Sequence, residues 1–270
     1  METPKIEASA RFEKSPALIL VDLELSEAEM KAFENLKIEQ ELDLDYYGKV
    51  TDLTPDRIAQ GLKAAGNNPE EVLSTAAHVI WRLAQKVAKD TEKTAVWLAV
   101  RLSLPSDSFT IPRWHQDGPY FNNQAPDEVI YKFVATPKGD QTLFGQSKDD
   151  DRYRQLEKIE TDLYDKVDIK HTDPEVQGVR QSLDRLIERD QPLVYGQGAY
   201  FIANGPNSKI HSEPSITIPR LFVSVLAESE DRISDLERRW ADNWSTKNAP
   251  GRGVFRASGR ECSTVTLLPR

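Results

Sequence analysis

Two pairs of residues in this 270-residue sequence have the types and the spacing of metal ligands. His115 and Asp117 lie in the segment 113–120, and His171 and Asp173 form a second His-x-Asp triplet. Residues i and i+2 of an extended chain project from the same face, so an imidazole and a carboxylate at this spacing can share one metal ion. Such pairs are common by chance, and a site needs a third ligand from elsewhere in the chain.

The surroundings of the second triplet favour a different role. The residues before His171 are charged, with Lys166, Asp168 and Lys170 close together. Asp173 directly precedes a proline and a glutamate, a pattern typical of the start of a helix. We therefore predict that Asp173 caps a helix and that His171 binds no metal.

His211 is the candidate for the third ligand. It follows a predicted strand and a tight turn, and another predicted strand begins at residue 216. His78, in contrast, lies inside a predicted amphipathic helix, where a packing or surface role is expected. Two imidazoles and one carboxylate on one face leave further coordination positions open, an arrangement associated with non-haem Fe(II) oxygenases.

Arg220 interrupts the otherwise apolar segment 216–227. A buried guanidinium is costly without a partner. Its partner can be an internal carboxylate, or it can be the carboxylate of a bound ligand, held by two parallel hydrogen bonds. Ser224 lies four residues further along the same strand face and can donate another hydrogen bond to such a ligand.

Hydrophobic periodicity predicts the elements that must position these residues. Predicted strands cover 17–25, 95–104, 128–135, 141–144, 192–195, 199–203, 216–227 and 263–268, and predicted helices begin near 26, 54, 69, 173 and 229. Residues 1–15 are polar, and residues 148–190 are charged and largely helical. Early helices followed by many short strands indicate an all-β sandwich or jelly roll buttressed by helices.

Composition narrows the class of function. The fractions of hydrophobic (39%) and charged (29%) residues are ordinary for a globular protein, and the net charge of −9 disfavours nucleic acid. No apolar run approaches the roughly 20 residues that span a membrane, and no secretory signal is evident. The single cysteine, Cys262, excludes an internal disulfide. We expect a cytoplasmic protein with a small-molecule substrate, and the sequence predicts no oligomeric state.

The set His115, Asp117, His211 and Arg220 resembles the Fe(II)/2-oxoglutarate-dependent dioxygenase superfamily. In that superfamily a basic residue after the distal histidine binds the distal carboxylate of 2-oxoglutarate. The segment 138–144 is similar to the Gly-Gly-Asp-Thr-Leu-Trp segment of taurine dioxygenase-like members, whose threonine contacts the cosubstrate. This similarity indicates Thr142, with Gln141 as one extra residue.

The resemblance implies a single domain over residues 1–270, mainly β with flanking helices. Its core would be a double-stranded β-helix, of the jelly-roll or cupin-like kind, at about 95–270. The sequence pattern adds helices at about 17–92 that would support this core and a helical insertion at 148–190, either a lid or a solvated face, which the resemblance does not assign to a subfamily. In one subgroup of the superfamily a serine lies two residues after the arginine. This chain departs from that pattern, because Phe222 occupies the position.

The implied function is hydroxylation of a small molecule with Fe(II), O2 and the cosubstrate 2-oxoglutarate, which is decarboxylated to succinate and CO2. Tyr120 and Phe121 are candidates for the wall of the substrate pocket. Arg101 is a candidate for reading a substrate anion, with a structural ion pair as the alternative. A cupin-like metal enzyme without 2-oxoglutarate would not need Arg220, and a non-catalytic jelly-roll binding protein is the third possibility.

Overall fold

The computed structural model describes residues 17–125, 128–164, 169–204, 207–244 and 252–256, and these form two β-sheets flanked by helices. The strands are β1 (Leu18–Asp22), β2 (Leu42–Lys49), β3 (Ala95–Ser103), β4 (Arg113–His115), β5 (Tyr131–Lys138), β6 (Phe144–Ser147), β7 (Ile187–Arg189), β8 (Gln197–Ile202), β9 (Ile210–Glu213), β10 (Arg220–Glu228) and β11 (Arg252–Arg256). The helices are α1 (Glu27–Asn35), α2 (Pro55–Leu62), α3 (Glu70–Asp90), α4 (Asp150–Tyr164), α5 (Pro174–Leu186) and α6 (Glu230–Trp244). The predicted β core with flanking helices and a helical insertion is confirmed.

The chain passes repeatedly between the two sheets. The large sheet has the order β1-β8-β5-β10-β3-β2-β11, and the small sheet has the order β4-β9-β6-β7. From β3 to β10 the strands β3, β5, β8 and β10 belong to the large sheet, while β4, β6, β7 and β9 belong to the small one. This jelly-roll path places strands next to each other that are far apart in sequence.

Helices α1 to α3 cover the outer face of the large sheet. Their ends follow the sequence: Ser26 forms a capping box with Glu29 at the start of α1, and Thr54 accepts a hydrogen bond from the third residue of α2. The apolar stripe of α3 packs against alternate residues of β3, including Val96, Leu98 and Val100. The intervening residues of β3 therefore face the space between the sheets.

That inner space is filled by a second apolar cluster. Trp97 and Ala99 of β3 meet Phe144 of β6 and Phe201 of β8 there. Helix α6 closes one side of the cluster through Ile233, Leu236 and Trp240. The inner face of the large sheet thus opposes the small sheet, which carries the predicted metal ligands.

The insertion helices α4 and α5 pack on the outer face of the small sheet. Tyr153, Leu156 and Leu183 of these helices surround Trp114 of β4 and Ile210 of β9. The insertion therefore supports the two strands that carry the predicted histidine ligands. None of the described helices is both long enough and apolar enough to cross a lipid bilayer.

Several predicted elements differ from the observed ones. Strand β2 was not predicted, although its sequence Leu-Asp-Leu-Asp alternates as a half-buried strand does. The predicted strand at 192–195 is wrong: α5 ends at Leu186, the chain pairs at once with β6, and residues 192–195 lead to a turn in which Gly196 has a φ of 84°. The predictions for residues 1–15, Cys262 and the strand at 263–268 lie outside the described residues.

Candidate metal centre

Strands β4 and β9 place two histidines side by side. The two strands are antiparallel neighbours, and His115 is directly opposite His211 in their register. The centroids of the two imidazole rings are 4.3 Å apart. Residues 96 positions apart in sequence therefore meet through a single pair of strands.

Alternation along the two strands decides which way these rings point. Trp114 and Ile210 face the cluster formed with α4 and α5, so their neighbours His115 and His211 face the opposite side. The ring of His211 packs against Phe201, with 4.7 Å between centroids, and lies 6.2 Å from the ring of Phe144. Apolar packing of the small sheet against α4 and α5 thus determines that the two histidines face the large sheet.

Asp117 completes the group. Its Oδ1 atom lies 3.7 Å from Nε2 of His211, and one ligand atom from each of Asp117, His115 and His211 lies within 4.8 Å of the others. Within the described part of the chain, this is the group of His, Cys, Asp and Glu side chains arranged to hold a metal ion. The structure therefore brings the three predicted ligands together.

Backbone carbonyls hold both histidine rings in one orientation. Nδ1 of His115 lies 3.3 Å from the carbonyl oxygen of Arg113, and Nδ1 of His211 lies 3.2 Å from that of Lys209. A ring that donates its Nδ1–H to a carbonyl presents the lone pair of Nε2. Metal-binding histidines are usually fixed in this way by a partner outside the coordination shell.

The charges of the group suit a divalent cation. Burial lowers the pKa of His115, and it lowers the pKa of His211 to about 3, so both rings are neutral at pH 7. Burial raises the pKa of Asp117, but the nearby Lys132 and the two imidazoles together lower it well below its usual value. Neutral imidazoles and an ionised carboxylate are the protonation states that metal binding requires.

The competing triplet lies elsewhere. His171 precedes α5, and its Nδ1 atom lies 2.8 Å from the hydroxyl of Tyr164 and 2.9 Å from the guanidinium of Arg180. Asp173 occupies the N-cap position of α5 as predicted, but its side chain makes no capping hydrogen bond to that helix and instead accepts one from the backbone N–H of Lys170. His171 belongs to no described group that is able to hold a metal ion.

Arg220 is a buried cation with neutral partners. Its Nε donates to the carbonyl of Asp140 at 2.8 Å, and a terminal nitrogen donates to the hydroxyl of Thr142 at 3.0 Å. The residue is 7% exposed, and burial lowers its pKa to about 10. Among the described side chains, no carboxylate oxygen lies within 4 Å of this guanidinium. The sequence predicted that Arg220 interrupts a strand over 216–227. In the structure Arg220 is instead the first residue of β10.

A glycine permits this arrangement. Gly139 has a φ of 94°, and a Cβ atom there would lie 2.7 Å from the Cα of Arg220. The turn between β5 and β6 can therefore pass close over the start of β10, which brings the Asp140 carbonyl within reach of Arg220.

Thr142 and Ser224 lie on the inner side of the β core. Thr142 is 2% exposed and bonds Arg220, and it is two residues before Phe144, whose ring faces His211. Ser224 lies on the same face of β10 as Leu226, and its hydroxyl is buried without a hydrogen-bond partner among the described residues. Ser224 and Arg220 are four residues apart in β10, about 13 Å along the strand, so the structure does not bring the two side chains together. A buried hydroxyl without a partner is suited to a polar ligand.

Lys132 of β5 was missed by the sequence analysis. Its ammonium nitrogen lies 3.0 Å from Oδ2 of Asp117 and 2.9 Å from the hydroxyl of Tyr120. The residue is 9% exposed. The same signal that singled out Arg220, one cation inside an apolar strand, was present in the strand sequence Ile-Tyr-Lys-Phe-Val and would have found it.

The three candidate substrate residues are placed differently. Tyr120 is 4% exposed and packs between Trp97 and Trp240, with its hydroxyl at Lys132. Phe121 is equally buried in the same cluster. Arg101 pairs with Asp45 at 2.7 Å and with Asp43 at 3.4 Å. Of these three, Tyr120 is connected to the metal group, through Lys132 and through a direct interaction of its hydroxyl with the Asp117 carboxylate.

A cavity of about 510 Å³ opens beside His115 and Asp117 and is bordered by residues of α4, among them Glu157 and Lys158. A second cavity, of about 750 Å³, is lined by β6 and the start of β1. The two cavities share Gln116, Arg154 and Ser208 as lining residues. The hydroxyl of Ser208 is buried without a hydrogen-bond partner among the described residues.

Solved structures similar to this chain include hydroxylases. One is an apo Kdo hydroxylase, described as a non-heme Fe(II) alphaketoglutarate-dependent dioxygenase, with 12% identity, coverage of 86% of this chain and 89% of that chain, and a TM-score of 0.42. A prolyl hydroxylase from Trichoplax adhaerens, in complex with a hypoxia inducible factor peptide, has 8% identity, coverage of 84% and 89%, and a TM-score of 0.35. A prolyl-4-hydroxylase from Pseudomonas putida has 12% identity, coverage of 82% and 96%, and a TM-score of 0.33.

No protein-family model matches the sequence, and no curated protein matches it. The similar structures include the class of dioxygenase that the sequence resembles. At TM-scores below 0.5 the likeness supports no assignment of a substrate, so the side chains of the site have to carry the functional interpretation.

Proposed function

We propose that this protein is a non-haem Fe(II)- and 2-oxoglutarate-dependent oxygenase that hydroxylates a small polar molecule. The observation that carries the proposal is the meeting of His115, Asp117 and His211 with their ligand atoms within 4.8 Å of one another. Two neutral nitrogen donors and one carboxylate, with further positions open, are the donor set of non-haem Fe(II) oxygenases.

Arg220 supports the choice of cosubstrate. Among the described residues no carboxylate lies within salt-bridge distance of this buried guanidinium. The more distant Glu213 and Asp140 offset only part of the cost of its burial, because burial still lowers its pKa to about 10. Thr142 and Ser224 add two buried hydroxyls on the inner side of the β core. A dicarboxylate that reaches from the metal to Arg220 would provide the guanidinium with an anionic partner and the hydroxyls with a hydrogen-bond acceptor.

Iron and 2-oxoglutarate, when bound with O2, supply the oxidising power for hydroxylation, with decarboxylation of 2-oxoglutarate to succinate and CO2. The residues of the chain bind, orient and exclude water. His115 and His211 present their Nε2 atoms because the backbone holds their Nδ1 atoms. Phe144 and Phe201 shield the ring of His211. Arg220 anchors the distal carboxylate.

The substrate would enter the cavity of about 510 Å³ beside His115 and Asp117. This cavity is bordered by charged residues of α4 and by Gln116 and Ser208, which favours a polar molecule over an apolar one. Because α4 lines the cavity directly, the insertion is suited to act as a cover over the substrate.

Arg220 also separates this proposal from the two alternatives. A cupin-like metal enzyme without 2-oxoglutarate needs the metal ligands but no buried, unpaired arginine. A non-catalytic binding protein needs neither neutral Nε2 donors nor an anionic partner beside them. The combination of both features is expected of a 2-oxoglutarate oxygenase.

Turnover of 2-oxoglutarate without a substrate tests the proposal. The wild-type protein with Fe(II) in air should release succinate slowly, and His211→Ala should release none. Arg220→Met should raise the 2-oxoglutarate concentration needed for half-maximal release by about 30-fold, because loss of one partner of a buried charge pair costs about 2 kcal/mol or more.

Arg232→Met is the matched control, since Arg232 pairs with Glu128 outside the site. It should keep the wild-type requirement for 2-oxoglutarate. An iron-loaded wild type that consumes no 2-oxoglutarate would favour the cupin-like alternative, and a wild type that binds no metal would favour the binding protein.

A further inference from the structure

Lys132 occupies an unusual position for a buried lysine. Its ammonium lies between the carboxylate of Asp117 and the hydroxyl of Tyr120, at 3.0 Å and 2.9 Å. The nitrogen also lies 5.3 Å from the ring centroids of Trp97 and Tyr120. Two hydrogen bonds and two aromatic faces therefore hold the cation in one place.

This position divides the two oxygens of Asp117 between two partners. Oδ2 accepts from Lys132, whereas Oδ1 faces Nε2 of His211 at 3.7 Å. A carboxylate in this state can offer a metal ion one oxygen, because the other already accepts a charge-assisted hydrogen bond. A carboxylate without such a partner can offer both.

Lys132 also adds a positive charge beside the candidate ligands. The two imidazoles are neutral and Asp117 contributes one negative charge, which Lys132 balances. Arg113 and Glu213, which also act on His115, form an ion pair and offset each other. A divalent cation would then leave the site with two uncompensated positive charges. A site with this balance attracts a dianion after the metal has bound.

We infer that Lys132 is a positioning residue that limits Asp117 to one metal-binding oxygen. It thereby lowers the affinity of the site for the metal ion and raises the affinity of the metal-bound site for an anionic cosubstrate. The inference rests on the proposed metal centre. Lys132 itself touches no reacting atom, and its effect passes through Asp117 and through the charge of the site.

Binding of Co(II), followed anaerobically by its visible absorption, tests this role without turnover. Lys132→Met should bind Co(II) about tenfold or more tightly than the wild type in the absence of other ligands. Three effects act in this direction. The cation meets less repulsion, and Asp117 has a second oxygen available. The Asp117 carboxylate, which keeps its interaction with the Tyr120 hydroxyl but loses the ammonium, is also less well compensated in the metal-free variant. The visible spectrum should change as Asp117 changes its ligation.

The same variant should bind 2-oxoglutarate about tenfold more weakly in its Co(II) form. Lys132→Arg retains the charge and should behave as the wild type in both titrations. Lys132→Gln retains a hydrogen-bond donor without the charge, so it should tighten Co(II) binding with a smaller spectral change. It also serves where Lys132→Met fails to fold.

Lys93→Met is the matched control, because Lys93 forms an ion pair with the buried Glu228, away from the metal ligands. It should leave Co(II) affinity within about twofold of the wild type. Unchanged or weaker Co(II) binding by both Lys132→Met and Lys132→Gln would overturn the inference. Absence of Co(II) binding by the wild type would instead overturn the metal centre itself.

Discussion

His115–Asp117 and His171–Asp173 have the same spacing, but the structure places them in different kinds of surroundings. The first triplet continues strand β4 of the small sheet and faces His211 across a strand pair. The second lies in the turn that starts α5, where its histidine contacts Tyr164 and Arg180. The spacing brings two side chains to one face when the chain is extended, and a turn does not preserve that relation.

The carboxylates of the two triplets differ in the same way. Asp117 faces His211 and Lys132 in a buried site. Asp173 accepts a hydrogen bond from the backbone N–H of Lys170, as residues before a helix often do. A carboxylate that already satisfies the backbone is poorly placed to bind an ion. The role of a His-x-Asp pair is therefore decided by what else each residue must satisfy.

A buried arginine is associated with each triplet, Arg180 with the second and Arg220 with the first. The two arginines differ in whether they pair with a carboxylate. Arg180 is fully buried and pairs with the buried Glu160 at 2.8 Å. Arg220 is buried beside neutral oxygens. The first arginine has the contacts of a structural ion pair. The second has no carboxylate within salt-bridge distance among the described residues, which is why we propose it as the residue that binds an anion.

The largest expected effect is the loss of metal binding on removal of a ligand from the first triplet. Asp117→Ala should weaken Co(II) binding by more than about 100-fold, the upper end for partners outside the coordination shell. Asp173→Ala, at the same position of the second triplet, should leave Co(II) affinity unchanged. Isothermal titration of both variants measures the contrast, and equal losses would remove the distinction between the triplets.

The second prediction contrasts the two arginines by stability. Arg180→Met removes the nearer of the two cations at the buried Glu160 carboxylate and leaves Arg113 at 3.9 Å, so the free energy of unfolding should fall by about 3 kcal/mol. Arg220→Met strands no carboxylate and should cost about 1 kcal/mol for its lost hydrogen bonds. Denaturant unfolding of the two metal-free variants measures this difference. A large loss for Arg220→Met would indicate that Arg220 is structural.

The third prediction concerns pH. The pKa of His211 is lowered to about 3 in the folded protein, whereas an unfolded histidine titrates near 6.5. Between these values the unfolded chain binds a proton that the folded chain does not. The free energy of unfolding of the metal-free protein should therefore fall as pH falls through this window, by at most about 1.4 kcal/mol per pH unit from this group.

His211→Gln should flatten this slope between pH 6.5 and 4. His171→Gln should flatten it less, because the pKa of His171 is also lowered but its ring is less enclosed. Urea unfolding at a series of pH values provides the comparison. An unchanged slope in His211→Gln would mean that the ring titrates normally in the folded protein.

The smallest expected effect is that of His171 itself. His171→Ala removes the contacts with Tyr164 and Arg180 and should lower the free energy of unfolding by about 1 kcal/mol. Metal affinity should not change. Thermal unfolding with and without Co(II) reports both quantities, and a smaller Co(II)-induced rise in Tm than in the wild type would place His171 in the metal site after all.

The sequence alone singled out the residues whose chemistry is unusual for their surroundings. His115, Asp117, His211 and Arg220 were identified because a strand face or an apolar segment has to account for such residues. The order of the predicted elements left an all-β sandwich or a jelly roll open, and the family resemblance favoured the jelly roll. The register that sets His115 against His211 was not predicted. Register depends on pairing between strands far apart in sequence, which no local pattern encodes.

Other features needed the structure. Lys132 contacts Asp117 because β5 and the segment after β4 meet between the sheets, a tertiary relation. Strand β2 was overlooked in the sequence, and the structure shows that its Asp45 pairs with Arg101 of β3. Tyr120 had suggested a substrate wall, and its ring is enclosed by Trp97 and Trp240. In each case a polar group found a partner from another strand or helix.

The most direct test of the central claim is an anaerobic titration of the protein with Fe(II) and 2-oxoglutarate. Chelation of the iron by 2-oxoglutarate gives a weak visible charge-transfer band. The wild type should develop this band, His211→Ala should not, and His171→Ala should develop it as the wild type does. A wild type without the band, or a His211→Ala variant that retains it, would contradict the assignment of His115, Asp117 and His211 as an iron centre.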